Sequence, residues 1–204
     1  MLFVCFVGES LMRYIALLRG INVGGNTMIK MEELRKTFEA LGFTNVKTYI
    51  NSGNLAFDVK MRKPAQSTGE TGSSVDVSRE LEAELTTQIE SVIAKDFGKQ
   101  IPVMIREQAD IQRILALNPF EGQFESHKEM HVLFCRDAVS DECKQFLAEN
   151  APPPERFSVS GREIYCHLPM GVADSYLGRG IFERKLKIAV TARNWRTVER
   201  LADL

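Results

Sequence analysis

The sequence predicts an α+β chain that uses one order of elements twice, and two observations carry the prediction. The apolar residues change period along the chain, from two in runs such as YIALL to between three and four in runs such as MEELRKTFEAL, so strands and helices alternate. Strand, helix, strand, strand, helix, strand is the order up to residue 106, and the same order returns from residue 130. That βαββαβ order is the split βαβ of ferredoxin-like domains, the α/β plait.

Each element has a local reason. RYIALLR, residues 13 to 19, is apolar on both alternations and reads as a buried strand. After a Gly- and Asn-rich bend, Met31, Leu34, Phe38 and Leu41 recur at helical spacing, with Glu32 and Glu33 in the first turn and Gly42 as the stop. VKTYI and NLAFDV flank Asn51, Ser52 and Gly53, a hairpin signature. Residues 60 to 77 are polar and aperiodic and read as a mobile loop. Ser78 is then placed to cap a helix whose stripe is Leu81, Leu85, Ile89, Val92 and Phe97, and IPVMI follows as the fourth strand.

Ile111, Ile114 and Leu115 mark a connecting helix that ends at Asn118-Pro119. The second round comprises HVLFC, a Ser140-capped helix, RFSVS and EIYCHL around Ser160-Gly161, a helical patch with Leu177, Ile181 and Leu186, the strand KIAVTA, and a helix capped by Asn194. The expected division is an N-terminal plait at 12–106, a connecting helix and loop at 107–129, and a C-terminal plait with its terminal helix at 130–204. Residues 1 to 11 have two readings, an upstream extension from a misplaced start codon or a short edge strand. The opening LFVCFVG is too short to span a bilayer and lacks the features of a signal peptide.

Composition limits the function. With 26 basic against 27 acidic residues, no global field would draw the chain onto nucleic acid or an anionic membrane, so anion binding has to be local. Cys5, Cys135, Cys143 and Cys166 show no CxxC spacing and lie in or beside apolar runs, the pattern of buried thiols in a reducing cytoplasm.

The candidate site follows from topology. In a βαββαβ unit the first two strands are parallel, so the end of the first strand and the turn after the second share one edge of the sheet. Arg19, Asn22, Gly24, Gly25 and Asn26 are thereby brought beside Asn51, Ser52 and Asn54, with Lys30 at the start of the helix. Glycines in such a bend expose N–H groups, Arg19 offers a bidentate fork, and a helix start favours an anion. The expected ligand is a small phosphorylated or carboxylated molecule, a nucleotide among the candidates. Arg193 and Asn194, beside Trp195 at a helix start, form a second polar corner where an anion or a base could dock. The competing reading is structural: Asn and Gly suit any such turn, and Arg19 has Glu32 or Glu33 to pair with.

Other classes have less support. No nucleophile, acid and base assemble by spacing, so no catalytic residue is assigned, and no cofactor or metal site is expected. His127 and His131 fall on a loop entering a strand rather than on a helix, and His167 beside Cys166 reads as packing. Nucleic-acid binding is the alternative that the element order allows, but NLAFDV lacks the basic-aromatic pattern of RNA-binding sheets. A structural or oligomerisation module is the third reading; the oligomeric state is open.

RGINVGGN, IKMEELR, GFTNVKTYINSGN, NPF at 118 to 120 and TARNW together resemble the DUF1697 family of bacterial proteins, in the same order along most of the chain. The resemblance implies tandem α/β plaits and carries over no catalytic residue. It also implies that the family's signature segments fall on 19–26, 51–54 and 191–195, which favours a functional corner. The long loop at 60–77 and Arg196 depart from the family pattern.

Overall fold

A computed structural model describes residues 10–22, 27–61, 74–185, 187 and 189–204. Strand β1 (Ser10–Leu18) is followed by α1 (Met31–Ala40), β2 (Thr44–Tyr49), β3 (Asn54–Met61), α2 (Ser74–Phe97), β4 (Val103–Glu107) and α3 (Gln108–Ala116). The same succession comes again as β5 (Met130–Cys135), α4 (Asp141–Asn150), β6 (Arg156–Ser160), β7 (Glu163–His167), α5 (Ile181–Lys185), β8 (Val190–Asn194) and α6 (Trp195–Ala202). The chain is therefore α+β, with two four-stranded antiparallel sheets ordered β2-β3-β1-β4 and β6-β7-β5-β8.

The two-sided apolar pattern of β1 has a direct structural consequence. Tyr14, Ala16 and Leu18 pack under α1 and α2 with Leu34, Phe38, Leu85 and Ile89. Ile15 and Leu17 face the other way, where Ala56 and Met104 join Met130, Val132, Phe134 and Tyr165 of the second sheet. The two sheets thus bury one face of each against the other, and α3 and α6 add Ile111, Ile114, Trp195, Val198 and Leu201 to that shared core. The outer face of the second sheet packs Leu133, Cys135, Ile164 and Cys166 against Cys143, Leu147 and Phe182. Each fully buried aliphatic or aromatic side chain contributes about 1.5–3 kcal/mol, so the shared core couples the halves strongly.

Several element ends differ from the sequence reading. β1 begins at Ser10, paired with Met61, so residues 10 and 11 belong to the sheet; residues 1–9, with Cys5, lie outside the described residues. Ser78 is not a cap, because α2 already starts at Ser74, inside the expected loop, of which 62–73 lies outside the described residues. The buried stripe of α2 runs through Ile93 rather than the half-buried Val92. α5 is only five residues long, and Leu186, expected on its stripe, lies outside the described residues. Ser140 Oγ accepts from Cys143 N at 3.2 Å and Asn194 Oδ1 from Thr197 N at 3.0 Å, the caps expected for α4 and α6. Among the described residues no helix is long and apolar enough to cross a membrane.

Candidate functional site

At the C-terminal end of β1 the two polar turns meet. Leu18 N donates to Gly53 O at 2.8 Å, and Asn22 Nδ2 donates to Asn51 O at 2.7 Å and Ile29 O at 2.9 Å. Asn22 Oδ1 accepts from Ile29 N at 2.8 Å, which closes the bend around the left-handed Asn22 itself (φ 54°). Asn54, fully buried, donates to Tyr49 O and Ser52 Oγ, both at 3.1 Å. Lys30 is exposed and sits 3.1 Å from Glu33, while the Arg19 backbone N–H donates to Pro102 O at 3.0 Å. Gly24, Gly25 and Asn26 lie outside the described residues.

Arg193 is the centre of this corner, and its role is not the one expected. Its guanidinium is buried between the sheets, where Nε donates to Asn54 Oδ1 at 2.5 Å and Nη1 to Thr191 Oγ1 at 2.7 Å and Ala192 O at 2.8 Å. Nη2 donates to Leu18 O at 2.9 Å, Ser52 O at 3.2 Å and Gly53 O at 3.3 Å. All five N–H groups therefore have protein acceptors, and none is left for a ligand. Burial pulls its pKa down to about 10, so it stays charged at neutral pH, solvated by neutral oxygens. Asn194 makes the expected cap of α6 with its side chain, to which Thr197 Oγ1 also donates at 2.7 Å.

The same joint occurs a second time. Arg106, fourth residue of β4 as Arg193 is of β8, reaches across to the other sheet in the reverse sense. Its Nη2 donates to Cys135 O at 2.7 Å, at the end of β5, as Arg193 does to Leu18 O at the end of β1. Its Nη1 donates to the preceding carbonyl, Ile105 O at 2.7 Å, as Arg193 does to Ala192 O. Its Nε donates to Glu163 Oε1 at 2.7 Å, the first residue of β7, as Arg193 does to Asn54, the first residue of β3. The backbone repeats too: Cys135 N to Arg162 O at 2.9 Å matches Leu18 N to Gly53 O, and Arg136 N to Ala189 O at 3.3 Å matches Arg19 N to Pro102 O.

Around this second joint the described residues leave a cleft. It has a volume of about 610 Å³ and lies where β4 ends, walled by α2, α3 and the β6–β7 turn, within the range of small-molecule sites. Met12, Met61, Ile114 and Leu117 supply apolar surface, and Tyr14, Glu82, Arg106, Glu107, Arg162 and Glu163 polar surface. Glu82 Oε2 accepts from Arg162 Nη1 at 2.6 Å, and Ser78 Oγ donates to Glu107 Oε1. Two buried atoms on the cleft's residues are without a partner among the described residues: Glu82 Oε1 and the Tyr14 hydroxyl, on residues 4% and 0% exposed. Burial, then Glu107, Glu82 and Asp110, push the Tyr14 pKa well up, so the hydroxyl stays protonated. Desolvation pulls Arg106 down and Glu163 opposes it.

The sequence reading passed over this site, although it carried two signals. Glu82 falls on the buried stripe of α2, at i,i+3,i+7 with Leu85 and Ile89, and an acid there requires a partner. Arg106 follows three apolar residues as the fourth of β4, VMIRE, the position Arg193 takes in VTARN. The histidines do not compete with the cleft. His127 Nε2 lies 3.1 Å from Glu199, whereas His131 is buried, with its pKa pulled down to about 4 by desolvation. His167 Nδ1 lies 2.8 Å from Arg156 Nη2, and its pKa is lowered by burial and that arginine, partly offset by Glu129. Among the described residues no group of three or more His, Cys, Asp or Glu could hold a metal ion.

Comparison with known proteins supports the fold and leaves the chemistry open. The conserved bacterial protein SP0830 from Streptococcus pneumoniae superposes with a TM-score of 0.64 at 20% identity, covering 95% of this chain and 98% of that one. At that identity the likeness speaks for the fold alone. No curated protein matches the sequence. The family model "Protein of unknown function (DUF1697)" matches residues 11–165, which takes in the Arg19 bend, the Asn51–Asn54 hairpin and all the residues named as lining the cleft, but not residues 191–195. With three quarters of its length inside that match, the chain belongs to the DUF1697 family.

Proposed function

We propose that the protein binds a small molecule in the cleft at the end of β4, and that the Arg193 corner is a structural joint. One observation carries this reading: among the described residues the Tyr14 hydroxyl and Glu82 Oε1 are buried without partners, on residues that line a cavity of about 610 Å³. A buried polar atom left unpaired costs about 1–3 kcal/mol, so a ligand that pairs both gains what the empty fold forgoes. We also read the halves as tandem ferredoxin-like units, supported by the strand orders and the repeated arginine joint. α3 then takes in the first unit the place that α6 has in the second. The free, buried Cys135, Cys143 and Cys166 suit a reducing cytoplasm.

Nucleic-acid binding is disfavoured because the sheet faces are covered, the inner two by each other and the outer two by helices and loops, which leaves no stacking platform among the described residues. The experiment is NMR on methionine methyl groups with a panel of nucleotides, sugar phosphates, amino acids and polyamines. Met12 and Met61 line the cleft, whereas Met31 lies beside Asn22 at the corner. Shifts confined to Met12 and Met61 are expected; shifts confined to Met31, or none with any compound, would overturn the reading.

A further inference from the structure

The cleft's walls differ in what they offer a ligand. On the side of the β6–β7 turn each charge has a partner, Arg106 with Glu163 and Arg162 with Glu82. On the α2 side the buried groups unpartnered among the described residues are Glu82 Oε1, an acceptor, and the Tyr14 hydroxyl, which can donate as well as accept. Glu107, opposite Tyr14 in the β1–β4 register, has a hydroxyl donor in Ser78 but no cation within ion-pair distance among the described residues. Asp110 lines the same cavity, paired with Arg113, whose side chain is 70% exposed. Arg79 of α2 also lines the cavity but is exposed, so it is the buried part of this wall, Glu82 Oε1 and the Tyr14 hydroxyl, that presents oxygens to a ligand, and beyond it Met12, Met61, Ile114 and Leu117 favour an apolar body.

Resting on the cleft reading above, we infer that the ligand carries a nitrogen donor group, an amine, amidine or guanidine, on an apolar body, and that Glu82 Oε1 and the Tyr14 hydroxyl receive that group with Glu107 nearby. This reverses the polarity that the glycine- and asparagine-rich turns suggested: the cleft selects against phosphates and carboxylates. The selection is electrostatic, because a ligand carboxylate here would meet an unpaired carboxylate oxygen, whereas an amidinium would give it a charge-assisted hydrogen bond.

Four probes of one size test it on the full chain: benzamidine, benzylamine, benzyl alcohol and benzoate, titrated while the Met12 and Met61 methyls are observed. Benzamidine and benzylamine are expected to bind at least about tenfold more tightly than benzyl alcohol, and benzoate least, since one charge-assisted bond to a buried acceptor is worth that ratio. Glu82→Gln should bring the four within about twofold while benzyl alcohol still binds; Tyr14→Phe, which keeps the Glu82–Arg162 pair, should weaken benzamidine alone. Benzyl alcohol and benzoate binding as well as benzamidine would overturn the inference and leave the cleft reading standing. Failure of all four to move either methyl would overturn both.

Discussion

The corner around Arg193 and the cleft around Arg106 are the same joint built twice, and they differ in saturation. At the corner the arginine meets Asn54, the carbonyls of Leu18, Ser52, Gly53 and Ala192, and Thr191, so every N–H has an acceptor inside the protein. At the cleft Glu163 replaces Asn54, and three hydrogen bonds hold Arg106. Nearby, Tyr14 and Glu82 keep unpartnered atoms. Under the cleft reading the closed copy of the joint is structural and binding falls to the more open one. Polar residues concentrated in turns do not by themselves report a ligand.

The largest expected effect tests saturation directly. Arg193→Leu removes six hydrogen bonds from the core, of whose acceptors Gly53 O and Leu18 O keep another donor, and should destabilise the fold by roughly 3–5 kcal/mol in urea denaturation. Arg106→Leu should cost less, roughly 2–3 kcal/mol, because Glu163, 14% exposed, can turn toward the water of the cleft. Equal losses would mean that the two joints are equally closed.

The turns of the two joints give the next contrast. Gly53 has φ +79°, and a Cβ there would lie 2.7 Å from Leu18 Cβ and 2.9 Å from Ile21. Gly161, in the corresponding turn, has φ +61° but only Glu163 Oε2 within reach, at 4.0 Å. Alanine at Gly161 should cost about 1 kcal/mol, from backbone strain alone; at Gly53 the clash adds to it, for roughly 2–4 kcal/mol. Melting curves of the two variants separate a closed turn from an open one.

How much of this was legible in the sequence depended on the range of the interaction. Periods of two and of three to four marked the strands and helices because a strand buried on both faces, such as Ile15 and Leu17 against Ala16 and Leu18, has to be apolar throughout. The caps Ser140 and Asn194 were legible because a cap acts within three residues. The meeting of the Asn22 and Asn51 turns followed from strand direction. What no local pattern contains is the identity of the partner across the sheets: Arg193 reads as a ligand-facing cation until Leu18 O and Asn54, 139 or more positions away, are placed around it. The cleft escaped for the same reason, since Glu82 and Arg162 are 80 positions apart.

A smaller effect isolates the cap. Asn194→Ala removes the acceptor of Thr197 N and of Thr197 Oγ1 and leaves the Arg193 contacts in place, so it should cost about 1 kcal/mol. If it instead approaches the loss for Arg193→Leu, α6 and the joint form one cooperative unit, and the corner extends further than its hydrogen bonds.

The smallest effect is the most diagnostic, because its sign is opposite. Tyr14 and Tyr165 both line the cleft, but the Tyr165 hydroxyl donates to Ile114 O at 2.9 Å, whereas that of Tyr14 has no partner among the described residues. Tyr165→Phe should therefore cost about 1 kcal/mol, and Tyr14→Phe should be neutral or stabilise by up to about 1 kcal/mol, since it removes a buried group that makes no hydrogen bond. Chemical denaturation of the two variants beside the native chain measures the difference. If Tyr14→Phe destabilises as much as Tyr165→Phe, the Tyr14 hydroxyl is already satisfied, by an ordered water or by a rotation of Glu82 toward it. The cleft would then be as saturated as the corner, and the contrast between the two joints would reduce to shape.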